Sequence, residues 1–90
     1  MSEFKGDFEI KNIKGLHARA AAAFVKCADE FDAEISVERL GQCVSGSSIM
    51  GLMMLAASKG TFITVSASGP QAEEAFNALK NLVDTKFGED

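Results

Sequence analysis

The hydrophobic pattern of this chain switches between a period of two and a helical period, and the order of the switches leaves few folds open. Phe4, Gly6, Phe8 and Ile10 alternate with polar residues, the mark of a half-buried strand. After a turn-like break at 12–15, Ala20, Phe24, Cys27, Ala28 and Phe31 follow helical spacing, and the run of alanines at 20–23 favours a helix from Ala18 to about Phe31. Ile35, Val37 and Arg39 alternate through a second strand, which Leu40-Gly41 turns into a short third one, Gln42 to Ser45. Ser45-Gly46-Ser47-Ser48 is a helix start, and either Ser47 or Ser48 suits the cap. A short apolar helix is expected from Ile49 to Ala57, stopped by Lys59-Gly60. Phe62 to Ser68 reads as a strand with Ile63, Val65 and Ala67 on one face. A last helix follows Ser68-Gly69-Pro70, with Glu73 and Glu74 in its first turn and a stripe of Ala72, Ala75, Phe76, Leu79, Leu82 and Val83. The ending Gly88-Glu89-Asp90 reads as a frayed end.

The order β-α-β-β-α-β-α, with one-sided strands, specifies an α/β (α+β) chain. Its expected form is a two-layer open-faced β-sandwich, a four-stranded antiparallel sheet with three helices on one face. Ninety residues at 47% hydrophobic content suffice for one core, so residues 1–90 are expected to form a single domain. A ferredoxin-like fold shares most of this order, so order alone does not decide function. The formal charge of −4 argues against a general nucleic-acid binder. The start resembles no signal peptide, and the longest apolar stretch, Ile49 to Ala57, falls far short of the roughly 20 residues a bilayer span needs. A cytoplasmic protein without membrane insertion is the expectation. Cys27 and Cys43 read as two reduced, buried thiols.

The acids are unevenly placed. None lies between Lys11 and Lys26, which holds Lys14 and Arg19, and none between Arg39 and Ala72, which holds Lys59. If the two segments meet, they form an electropositive face suited to an anionic ligand, a phosphoryl group or an acidic partner. The first contains the only histidine, His17, directly before the alanine-rich helix in Gly15-Leu16-His17-Ala18-Arg19. A helix start exposes unpaired N–H groups, a natural place for phosphate. A neutral imidazole there can attack phosphorus and hold it as a phosphoramidate, and Arg19 can pair with the phosphoryl oxygens. Spacing alone leaves another reading open, a non-catalytic ferredoxin-like module that binds a small molecule, with His17 as a cap. Gly46 to Gly51 has P-loop glycine spacing, but Leu52 and Met53 stand where Lys and Ser/Thr are needed. Ser48 lacks the second glycine of a nucleophile elbow. Met50, Met53, Met54 and Cys43 suit packing or docking better than soft-metal ligation, and no metal or cofactor is implied.

Four segments carry a resemblance: Gly15-Leu16-His17-Ala18-Arg19 with the alanines after it, Ser48-Ile49-Met50-Gly51-Leu52-Met53, Ala57-Ser58-Lys59-Gly60, and Ser66-Ala67-Ser68-Gly69-Pro70. In this order they are similar to the HPr family, the histidine-containing phosphocarriers of the bacterial phosphotransferase system. The resemblance implies a monomeric carrier that takes a phosphoryl group from Enzyme I on Nδ1 of His17, with Arg19 neutralising it, and passes it to EIIA domains. It further implies docking through Ala22, Ile49, Met50 and Met53, and regulatory phosphorylation of Ser48 by HPr kinase/phosphorylase. One departure is Ala20, where the family usually has proline. Gly69-Pro70-Gln71 and the acidic ending resemble the nitrogen-branch carriers, whereas Ser48-Ile49-Met50-Gly51 is closer to those of sugar transport.

Overall fold

A computed structural model describes residues 3–88. The elements run β1 (Glu3–Glu9), α1 (Ala18–Asp29), β2 (Glu34–Arg39), β3 (Gln42–Ser45), α2 (Ile49–Met54), β4 (Phe62–Ser68) and α3 (Ala72–Asp84), with a closing 3-10 turn at Lys86–Gly88. The four strands form one antiparallel sheet in the order β1-β4-β2-β3. This is the expected open-faced sandwich, and the alternation that announced each strand is the reason. Phe8, Ile35, Val37, Ile63, Val65 and Ala67 point to one side and are buried there against Ala20, Ala21, Phe24, Leu52, Ala75, Leu79 and Val83 from the helices. The Phe8 and Phe76 rings meet edge to face at 5.2 Å, fixing α3 over β1.

Several expected boundaries move. The first helix stops at Asp29, two residues before Phe31, which is half-buried in the loop that follows. The α2 helix stops at Met54, three residues before Ala57. Lys59-Gly60 does not end it: the chain leaves the helix at Ala56, whose φ is +52°, so that the Ala57 carbonyl can accept the Leu16 N–H at 2.8 Å. Gly60 instead donates to the Ile10 carbonyl at 2.8 Å, extending the link between the ends of β1 and β4. The N-cap of α3 is Gln71, and its side chain caps nothing in its own helix. It accepts the Asp32 N–H at 2.7 Å, while its own N–H goes to the Asp32 carbonyl at 3.0 Å, clamping the α1–β2 loop to the start of α3. Gly88 belongs to the closing turn rather than to a frayed end, and Glu89 and Asp90 lie outside the described residues. Both cysteines are free, but neither is buried: Cys27 is half-exposed and Cys43 lies exposed on edge strand β3.

Candidate functional site

His17 stands where the loop from β1 becomes α1. It has extended backbone (φ −83°, ψ −175°) and is the N-cap of that helix. Its carbonyl accepts the first helical bond, from Ala21 N–H at 2.8 Å, and its Nδ1 accepts from the Arg19 N–H at 3.3 Å. An imidazole nitrogen that accepts a hydrogen bond does so through its lone pair. The ring therefore presents Nδ1 to the first turn, where N–H groups lack helical partners and the helix is positive. The His17 side chain is half-exposed, and Ala18 and Arg19 are exposed beside it. A ring so placed can reach a partner protein and still be oriented from below.

The loop before it is fixed by three contacts. Gly15 adopts φ +68°, and a Cβ there would lie 2.5 Å from the Ala57 carbonyl oxygen and 2.9 Å from Ser58 Cα. Only glycine fits. Leu16 is buried and donates to Ala57, as above. Asn12, with no exposed surface, donates from Nδ2 to the Gly15 carbonyl at 2.8 Å, and the Gly15 N–H returns to the Asn12 carbonyl at 3.1 Å. Reading the residues in sequence gave Asn12 only a place in a turn; its position five residues before the histidine was the available signal.

The Leu16–Ala57 bond also brings the two acid-free segments together, as required for an electropositive face. Two details trim that face. Lys11 is paired with Asp84 at 3.2 Å, and Asp29 approaches its margin by accepting from Ser47 Oγ at 3.3 Å. Arg39 is engaged too, donating from Nη1 to the Leu55 carbonyl at 3.0 Å and so tying the β2–β3 hairpin to the end of α2.

Ser48, not Ser47, caps α2: its Oγ accepts the Gly51 N–H at 2.9 Å. The short helix buries Leu52 and leaves Ile49, Met50 and Met53 in solvent at 40%, 73% and 42% exposure. Ala22 on α1 is exposed as well, and α1 packs against α2. Met54 (66% exposed), one of the methionines expected to serve packing or docking, and Ile13 (67%), which no sequence pattern marked, add apolar surface. No helix among the described residues is long and apolar enough to cross a membrane.

Residues 4–85 match the family model described as "PTS HPr component phosphorylation site". The phosphocarrier protein HPr of Neisseria meningitidis is 47% identical over 85 residues, covering 94% of this chain and 96% of that protein. The phosphocarrier protein NPr of Shewanella violacea is 40% identical over 89 residues, 99% of this chain and 98% of that one. Among solved structures, HPr from Thermoanaerobacter tengcongensis superposes with a TM-score of 0.89 at 47% identity, covering 100% of this chain and 99% of the other.

Proposed function

The chain belongs to the HPr family of phosphocarrier proteins, and on that premise we propose that His17 is its phosphoryl acceptor, charged by phospho-Enzyme I and discharged to an EIIA domain. The observation that carries this reading is the orientation of Nδ1 toward the Arg19 N–H on a half-exposed ring. The Nδ1 lone pair, released from the Arg19 N–H, attacks phosphorus, an N–P bond forms, and the bond from phosphorus to the donor group of Enzyme I breaks with its electron pair returning to that group. The incoming oxygens then meet the first-turn N–H groups of α1, with the Arg19 guanidinium available at the surface. Ala20, in place of the usual proline, keeps a further first-turn N–H and gives up a fixed φ. Transfer to EIIA is the same exchange in reverse, so no cofactor is consumed.

Docking by a monomeric carrier is assigned to Ala22, Ile49, Met50 and Met53, an exposed apolar surface bordered by the acid-free segments. Ser48 is the regulatory site for an HPr kinase/phosphorylase. The Ser47 hydroxyl donates to Asp29, whereas the Ser48 hydroxyl accepts from the Gly51 N–H and Ser48 directly precedes Ile49 and Met50 of the docking surface. A phosphate on it sets about two negative charges beside Ile49 and Met50, which disfavours an acidic partner.

Incubation with Enzyme I and labelled phosphoenolpyruvate tests the central claim. One acid-labile, base-stable phosphohistidine is expected, absent from His17→Ala; label retained by that variant would overturn the assignment. A small-molecule module with His17 only as a cap would accept no label at all.

A further inference from the structure

We propose that the open face of the sheet is a second docking surface, separate from the His17 face, for a basic protein segment that carries an apolar side chain. Successive rows across this face follow from the strand register. Asp7 lies opposite Thr64, and Thr64 lies opposite Glu38. Thr64 donates from Oγ1 to Asp7 at 2.7 Å. The two carboxylates thus flank the central strand, about 9–10 Å apart by inter-strand spacing. Phe62, two residues along β4 from Thr64, is 56% exposed on the same side. Leu40, at the tip of the β2–β3 hairpin, is 87% exposed. Phe62, Leu40, Asp7, Glu38, Thr64 and Lys5 line one open groove.

Leu40 strengthens the case. It opens a two-residue turn with φ +52°, a conformation that suits Asn, Asp or Gly. A leucine gains nothing there from burial, yet its side chain stands at the groove. The charge of the face selects the occupant. Glu3, Asp7, Glu9, Glu34 and Glu38 project from it, opposed by Lys5. Arg39 borders the groove too, but its guanidinium is engaged elsewhere, donating from Nη1 to the Leu55 carbonyl at 3.0 Å. The two segments that meet around His17 hold no acid, so the open sheet differs in charge from the His17 site. A Lys or Arg set over Thr64 meets both carboxylates, and an apolar neighbour about 7 Å away reaches Phe62, the spacing of alternate residues in an extended segment. Such contacts are mutually reinforcing, salt-sensitive and transient in strength.

The test is an NMR titration of the isotope-labelled full chain with a synthetic peptide of alternating Lys and Leu, and with its Glu-for-Lys counterpart. Shifts are expected at the amides of Asp7, Glu38, Phe62 and Thr64 with the basic peptide only. Phe62→Ser or Glu38→Lys should weaken the response about tenfold, with thermal unfolding and phosphoryl acceptance unchanged. Shifts centred on His17 and α2, self-association that lays one copy's basic face on another's sheet, or no response up to about 1 mM peptide would each overturn the proposal. Since phosphoryl acceptance is read separately, failure here leaves the His17 reading intact.

Discussion

At the scale of single residues, the site depends on backbone more than on side-chain pairing. Gly15→Ala must both hold a left-handed φ and push Ala57 away from a 2.5 Å approach. We expect a loss of about 2–3 kcal/mol in urea unfolding, accompanied by slower phosphoryl acceptance, because the same backbone carries His17. Ser48→Ala removes the acceptor of the Gly51 N–H and should cost about 1 kcal/mol by the same measurement. The thiols differ as well. Burial, and secondarily the nearby Glu30 carboxylate, push the Cys27 thiol up, while Cys43 is exposed. Iodoacetamide at mildly alkaline pH should label Cys43 first, followed by mass spectrometry; equal rates would contradict the packing around Cys27. The histidine and its helix start were legible in the sequence, since both are local. Asn12 was not, because its importance comes from the Gly15 carbonyl it holds.

At the scale of elements, each strand and α-helix was legible, β3 and α2 from turn and cap signals and the others from their period, and the errors fall chiefly where one element serves another. The α2 helix was expected to reach Ala57, since Leu55, Ala56 and Ala57 all tolerate helix. It ends early because the Ala57 carbonyl is needed by Leu16, a contact between residues 41 positions apart that no local pattern carries. Ala56 bears the cost of that exit in its positive φ. Ala56→Gly should therefore stabilise the protein by up to about 1 kcal/mol, the opposite of glycine's usual effect; a loss in thermal unfolding would show that the methyl matters more than the backbone. The α3 helix is joined to the loop after β1 by Asp84, which meets Lys80 at 3.0 Å and Lys11 at 3.2 Å. The hydrogen bond from Lys80, helped by Lys11 and partly offset by burial, holds its carboxyl below the ordinary range. A lowered folded value stabilises above the unfolded pKa, and the gain disappears as pH falls through the folded one. The pair is exposed, so Asp84→Asn should cost well under 1 kcal/mol at neutral pH. The difference should vanish in strong acid.

At the scale of the whole molecule, the formal charge of −4 is unevenly placed. Acidic residues crowd the open sheet, while the helix side around His17 is bordered by Lys14, Arg19 and Lys59. The sequence made the acid-free segments visible; that they meet required the Leu16–Ala57 contact. An acidic partner approaching this molecule is thus oriented before it touches, its own field drawn to the His17 side and repelled from the sheet. Encounter by steering depends on ionic strength, because the Debye length falls from about 10 Å at 0.1 M to about 3 Å at 1 M salt. Transfer from Enzyme I should slow several-fold across that range, with the change in kcat/KM rather than in the chemical step. Lys14→Glu with Lys59→Glu should reproduce the slowing at low salt and abolish further salt dependence. Glu34→Lys, on the opposite side, should leave the rate nearly unchanged, since its charge faces away from the encounter. Equal effects from both sides would mean that net charge, not its placement, governs association.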